Sequence, residues 1–282
     1  MLADDQKDAI ISAVQDVAAA EIMPRFRALD ATEVEAKSAF DDLVTVADRA
    51  SETALTARIR GILPDAMIVG EEAVSADASV LDGVTAAQCV VIDPIDGTWN
   101  FAHGIANFGV IVAMLEAGET VWGLLYDPVL DDWIVASRGD GAWFHSKTVH
   151  RRLSVSQATA SFDKLRGSVS DYLYPEHLRT PLAATTPRFR KSASLGASLH
   201  EYRLLASGGS DFVLNGMLNV WDHAAGVLVL EESGGVARLL DGTPYAPTLR
   251  EGRLLSARSD RLWCDLADLF NKAVEGAAPL PN

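Results

Sequence analysis

Asp93 and Asp96 bracket Pro94 and Ile95 at the end of a short apolar run, Cys89-Val90-Val91-Ile92, long enough for a buried strand and too short for a helix. Pro94 biases Asp93 towards an extended conformation. Gly97 permits the tight reversal after which Thr98 opens a helical turn with its backbone N–H groups outward. Anionic oxygens beside an anion-binding helix start make sense with cations between them, the carboxylates holding hard metals and the N–H groups a phosphate. For this stretch taken alone, the alternative is a solvated turn that happens to be acidic. Met67-Ile68-Val69 delivers a second acidic pair, Glu71 and Glu72, at a strand end of the same kind, which invites a shared site. With Asp222 the acids at element ends number four (Glu71, Asp93, Asp96, Asp222), enough to hold two divalent cations roughly 3.5–4 Å apart, with Asp93 best suited to bridge. All-oxygen ligands, without His-x-His or Cys-x-x-Cys spacing, select Mg²⁺ over Zn²⁺.

Composition bounds the rest. A chain of 282 residues with 49% hydrophobic content can bury one large or two medium domains. Its formal charge of −15, from 39 acids against 24 bases, argues against nucleic-acid and acidic-membrane partners, since either needs a basic face. Asp4, Asp5 and Asp8 stand where a signal peptide carries positive charge, and no apolar run reaches membrane-spanning length, so cytoplasmic residence is expected. Cys89 and Cys264 are far apart and read as reduced, buried thiols rather than nucleophiles. The histidines, including His223 beside Asp222, read as structural, and Trp99 and Trp221 as packing in the walls of the site.

The elements that must position these acids follow in chain order. Ile10, Ala13, Val14, Val17 and Ile22 make an apolar helical stripe from Asp4 to Arg27, which Pro24 kinks or ends. Asp30 to Asp42 is polar and aperiodic, a mobile loop carrying Lys37 that could lie over a site. Thr45 to Ile62 is a second amphipathic helix with Asp48 in its first turn. Phe108 to Leu115, Val121 to Tyr126 and Trp133 to Ser137 form an antiparallel meander, and Gly139 to Phe144 adds a turn and strand. The polar, basic stretch Ser146 to Arg152 marks a boundary between an N-terminal half, 1–150, with the metal motifs, and a C-terminal half, 151–282, which supplies Asp222 and the substrate pocket. That second half alternates. Leu165 to Ser170 is a strand, Leu199 to Ala206 a helix, Phe212 to Leu214 a strand. A helix capped by Asp222 runs to Glu232, Val236 to Leu240 is a strand, and Asp260 to Val274 is a final helix before a frayed tail from Gly276. Strands interleaved with helices indicate α/β layering.

Three strings carry a family resemblance: Gly70-Glu71-Glu72; Asp93-Pro94-Ile95-Asp96-Gly97-Thr98 with Asn100-Phe101 after it; and Trp221-Asp222 followed by Ala225-Gly226. In order and spacing they resemble the signatures of the inositol monophosphatase family of Mg²⁺-dependent, lithium-sensitive sugar-phosphate phosphatases. Lys37 and Val44-Thr45-Val46-Ala47-Asp48 fit its upstream element, Asp127-Pro128 its meander turn, and Gly196-Ala197-Ser198 lies 25 positions before Trp221 as its pattern expects. The resemblance covers nearly the whole chain. It implies an αβαβα sandwich of the inositol monophosphatase and fructose-1,6-bisphosphatase type, usually dimeric, with two or three Mg²⁺ ions per active site. Carried onto matching positions, it implies one metal on Glu71, Asp93 and the Ile95 carbonyl and a second on Asp93, Asp96 and Asp222. Glu71 and Thr98 would orient and deprotonate the attacking water, with Asp48 accepting a hydrogen bond from the Thr98 hydroxyl. Gly97 and Thr98 N–H groups would hold the phosphate. Asp96, Gly196, Ala197, Ser198 and Asn215 would face the leaving group, and Lys37 would be a loop contact.

Two departures from the animal inositol enzymes stand out. Trp99 replaces the second Thr of a typical Asp-Gly-Thr-Thr string, and Asn215, six before Trp221, replaces a Glu that grips inositol hydroxyls. The expected activity is hydrolysis of inositol 1-phosphate or a related sugar or polyol phosphate. Superfamily relatives with the same metal signatures instead cleave histidinol phosphate, fructose 1,6-bisphosphate or adenosine 3′,5′-bisphosphate. A non-catalytic regulatory binding protein is the alternative of a different class, weakened because every acid and Thr98 are present.

Overall fold

The computed structural model describes residues 2–37 and 43–276. Its first half runs α1 (Asp4–Val17), β1 (Val34–Ala36), β2 (Leu43–Thr45), α2 (Val46–Ile62), β3 (Met67–Gly70), α3 (Glu71–Ala76), β4 (Cys89–Asp96), α4 (Thr98–Ala102), β5 (Gly109–Glu116), β6 (Glu119–Asp127), β7 (Asp132–Ser137), β8 (Gly141–His145) and β9 (His150–Arg152). The second half runs β10 (Arg166–Val169), α5 (Glu176–Ala183), β11 (Lys191–Ser192), α6 (Ser198–Ala206), β12 (Phe212–Asn215), α7 (Val220–Glu232), β13 (Val236–Leu239), β14 (Leu254–Ala257) and α8 (Asp260–Glu275).

Strands β3 to β9 form one seven-stranded sheet in sequence order, parallel only between β3 and β4. Alternation along β4 and β5 explains how it is covered. Val90, Ile92, Val110, Val112 and Met114 enter the cluster built on α1 and α2, while Cys89, Val91, Ile111, Ala113 and Leu115 enter the cluster built on α6 and α7. Both side-chain sets of a period-two element are apolar, so both faces of the sheet must be buried. The second sheet has order β11-β10-β12-β14-β13. Its Val213 and Leu254 meet the α6–α7 layer, whereas Phe212, Leu214, Leu255 and Ala257 turn the other way onto Leu178 and Leu182 of α5 and Leu266 and Phe270 of α8. The layers are therefore αβαβα, as the resemblance implies.

The meander forms as expected, and helices cover it on both sides, which accounts for its many apolar positions. Several local expectations change. Ser146 to Arg152 carries β9, which pairs with β8. The first helix is α-helical only to Val17 and continues as a π turn, Ala18–Ile22, before Pro24. Helix α5 and strand β14 were not foreseen. Pro181 lies inside α5, and Leu254-Leu255-Ser256-Ala257 is too short to show a period. Cys89 is buried, and burial pushes its thiol up to about 12, but Cys264 is exposed on the outer face of α8 rather than buried. Residues 38–42 of the expected loop and 277–282 of the expected tail lie outside the described residues.

Candidate active site

β3 and β4 are parallel, with Gly70 beside Ile92, so the acids that follow one strand and end the other meet at the same end of the sheet. The pairing of β4 with β5 slips between Asp93 and Asp96. In a regular strand residues three apart face opposite sides; an inserted residue cancels that alternation, and Pro94, which has no N–H to give, suits the slip. The strand thus runs on through both acids rather than stopping before them. Asp222 arrives from the first turn of α7; Asn219 is the cap residue, and its Nδ2 donates to Asp222 Oδ2 at 3.1 Å, which corrects the expectation that Asp222 itself caps the helix. One carboxylate oxygen from each of Asp93, Asp96 and Asp222 lies within 4.8 Å of the others.

Burial raises the proton affinity of all three, and repulsion from neighbouring acids adds to it: Glu71, Asp96 and Asp222 act on Asp93, and Asp96 and Glu71 on Asp222. Asp96 is pushed up to about 7 by burial, although the N–H groups of Leu199 and Ser198 oppose the shift. Those groups donate at 2.6 and 3.0 Å, so Asp96 also satisfies the start of α6 and ties the two halves together. Three crowded carboxylates, Asp93 and Asp96 buried and Asp222 half-buried, offer only oxygen donors and fit a hard divalent cation, which would neutralise them.

Thr98 opens α4 after Gly97, whose φ of 84° favours glycine. The Thr98 hydroxyl lies 3.0 Å from both Asp48 Oδ1 and the Ile95 carbonyl. Its single proton can serve one acceptor at a time, which fixes its orientation between them. Asp48 is held by its other oxygen, Oδ2, which accepts from Thr45 N at 2.8 Å and Thr45 Oγ1 at 2.6 Å in the capping box of α2. Burial pushes Asp48 up to about 7. Glu71 shares the three aspartates' cavity and is held by an ammonium: Lys37 Nζ is 2.8 Å from Glu71 Oε1 and 2.6 Å from Glu72 Oε1. Burial opposes the charge on Lys37, but these two carboxylates outweigh it and hold the ammonium above the usual lysine range.

An inner cavity of about 180 Å³ is lined by Glu71, Asp93, Ile95, Asp96, Gly97, Thr98, Gly196, Ala197, Ser198, Asn215 and Asp222, so every expected metal and substrate position faces one space. Asn215 turns its Oδ1 to accept from Met217 N at 3.0 Å. An outer cavity of about 440 Å³ shares Glu71, Gly97, Thr98, Tyr172, Ser194 and Gly196 with it and adds Leu43, Trp99, Asn100 and Leu195. Trp221 lies half-buried in the inner wall, as expected, whereas Trp99 is exposed at the mouth. His223 is structural: its Nε2 donates to the Met217 carbonyl at 2.7 Å, leaving Nδ1 to accept from the Tyr202 hydroxyl at 3.0 Å.

Residues 4–275 match the profile of the Inositol monophosphatase family. The chain belongs to this family. It is 32% identical to the fructose-1,6-bisphosphatase/inositol-1-monophosphatase of Thermotoga maritima over 74% of this chain and 76% of the relative. It is likewise 32% identical to the Nus factor SuhB of Pseudomonas aeruginosa, over 82% and 83%. Among solved structures, the Thermotoga maritima IMPase superposes with a TM-score of 0.81 at 27% identity, covering 97% of this chain and 100% of that one. Inositol monophosphatase family members are hydrolases of phosphomonoesters, and this chain is one of them.

Two residues that hold this family's motif loops, Glu52 and Glu201, escaped the sequence analysis, and a third, Asn100, entered it as part of a motif without a role. Glu52, one turn after Asp48 on α2, accepts from Glu72 N at 2.7 Å and Ala73 N at 2.8 Å, anchoring the turn that carries Glu71. Its signal is an acid i+4 from Asp48 on a buried helix face. Gly70 makes room for it, since a Cβ there would stand 2.3 Å from Glu52 Cδ. Asn100 Nδ2 donates to the carbonyls of Asn107, Leu195 and Gly196 at 2.8 to 3.1 Å, fixing the Gly196 loop against α4. Buried Glu201 does the same from α6, with Oε1 accepting from Ser168 Oγ, Ser194 Oγ and Leu195 N at 2.9 to 3.0 Å.

Proposed function

We propose that this phosphatase is a Mg²⁺-dependent hydrolase of inositol 1-phosphate or a related sugar or polyol phosphate, acting by direct attack of water. The reading is carried by the convergence of Asp93, Asp96 and Asp222 on a cavity that also receives Glu71 and the Thr98 hydroxyl backed by buried Asp48. Glu71, Asp93, the Ile95 carbonyl, Asp96 and Asp222 would hold two or three metal ions. When bound, Mg²⁺ supplies neutralisation of phosphoryl charge and acidification of water.

The chain's own groups supply the rest. Backbone N–H groups of Gly97 and Thr98 hold the phosphate against the acids. Thr98, oriented by Asp48, aligns the water opposite the ester bond, and Glu71 takes its proton once Lys37 has released that carboxylate. Water oxygen bonds to phosphorus, the ester P–O bond breaks, and a proton returns to the departing alkoxide. Asn215 presents its amide where a carboxylate would grip polyol hydroxyls, which favours a broader substrate range. Phosphate release from a panel of inositol 1-phosphate, histidinol phosphate, fructose 1,6-bisphosphate and adenosine 3′,5′-bisphosphate tests the reading. Turnover that requires Mg²⁺ and falls with Li⁺ is expected, and absence of any hydrolysis under any divalent metal would overturn it.

Family members commonly pair, and a homodimer is proposed here; a monomer mass by light scattering at micromolar concentration would contradict it. The protein has no expected nucleic-acid or membrane partner, given its charge of −15. No helix among the described residues is long and apolar enough to cross a membrane.

A further inference from the structure

Of the six tryptophans, Trp99 is the exposed one, with 43% of its surface open although it directly follows Thr98. Its indole is braced. His103 stacks on it with ring centroids 4.0 Å apart and 22° between planes. The carbonyl of Trp99 can only accept, so His103 Nδ1 carries the proton of the 2.7 Å bond between them, which fixes the imidazole in its stacking position. Tyr172, also 44% exposed, lines both the inner and the outer cavity, and Leu43 and Leu195 complete the apolar lining of the outer one. A buttressed aromatic and a second ring thus border the space into which a leaving group must extend once its phosphate occupies the small acidic chamber. A saturated sugar or polyol ring can lay only a C–H face on such a surface, whereas a flat aromatic ring covers it and adds ring-on-ring stacking.

We propose that Trp99 is a specificity-determining residue and that the outer cavity is a subsite for leaving groups carrying an aromatic or heteroaromatic ring. The inference rests on the phosphomonoesterase reading and widens its substrate range: phosphate esters of ring-bearing alcohols are accepted beside the polyol phosphates, with the ring on Trp99 and the ester oxygen beside Thr98.

Benzyl phosphate and cyclohexylmethyl phosphate test it, because they match in size and alkoxide character and differ in the ring face. With Mg²⁺, kcat/KM should favour the benzyl ester roughly 3- to 10-fold in the wild type, the range that aromatic pairing supplies. Trp99→Thr should bring that ratio close to one, and Trp99→Phe should keep most of it. A wild-type ratio near one, or a ratio that survives in Trp99→Thr, overturns the subsite. Calorimetric binding of the same two esters to the Mg²⁺-loaded protein separates this inference from the activity it builds on. If neither ester is hydrolysed, binding alone decides the subsite, and the phosphomonoesterase reading fails only when no ester of the phosphate panel is hydrolysed either. A benzyl binding preference that Trp99→Thr abolishes then still supports the ring subsite, and equal binding rejects it.

Discussion

Stripped of divalent metal, the protein should melt at progressively lower temperature as pH rises from about 4 to 8, because the acidic cluster holds protons in the folded state that the unfolded chain releases. Asp96 works the magnitude. Burial moves it from 3.8 to about 7, so between those values the folded state binds a proton that the unfolded state does not. A group with a raised folded pKa contributes stability that is present below its unfolded pKa and lost as pH climbs through the folded one. Three units at about 1.4 kcal/mol each amount to roughly 4 kcal/mol. Asp93 and Asp222 shift the same way and steepen the fall. For a chain of 282 residues at about 2.1 cal/mol/K per residue, the unfolding entropy is roughly 0.6 kcal/mol/K, so the loss corresponds to about 7 °C in Tm. Mg²⁺ at about 100 times Kd should return roughly 2.7 kcal/mol at pH 8. Scanning calorimetry in chelator across that range, repeated with Mg²⁺ and for Asp96→Asn, provides the measurement. A chelated Tm that is flat or rising with pH, or one that Mg²⁺ leaves unmoved, would refute the argument.

Other perturbations separate the roles of the site residues. Thr98→Ala should lower kcat while leaving KM and Mg²⁺ affinity nearly intact, whereas Asp93→Asn should lower kcat further and raise the Mg²⁺ needed for half-maximal rate; full kcat in Thr98→Ala would mean the wrong water has been assigned. Asn215→Glu should raise kcat/KM on inositol 1-phosphate about tenfold, since a hydrogen bond to a charged acceptor is worth about 1.5–3 kcal/mol against roughly 0.5–1.5 for a neutral one; no gain would remove Asn215 from the pocket. Gly70→Ala, which drives a Cβ into the Glu52 carboxylate, should cost about 1–3 kcal/mol in urea unfolding and weaken Mg²⁺ binding, and an unchanged midpoint would show that the Glu71 turn does not depend on Glu52.

What the amino-acid sequence determined by itself is local. The helix that starts at Thr45 with Asp48 in its first turn forms where expected, and the capping box that closes its start joins partners within one helical turn. Asp93-Pro94-Ile95-Asp96-Gly97-Thr98 brings a strand end, a left-handed glycine and a helix start together within six residues, so chemistry and conformation are legible in one string. The strand β5 is apolar at every position from Gly109 to Leu115, which is enough to require cover on both faces. Only the tertiary structure decided what is distant along the chain. That Asp96 caps α6, that Lys37 lies on Glu71 and Glu72, that Glu52 anchors the Glu71 turn and that Asn100 grips the Gly196 loop all depend on the order in which layers stack. The same holds for Trp99, left open over a second cavity, where hydrophobicity alone placed it in a packed wall. Local propensity and periodicity act over a few residues, whereas these contacts join segments up to about a hundred residues apart, and their geometry is set by how the helices and sheets pack.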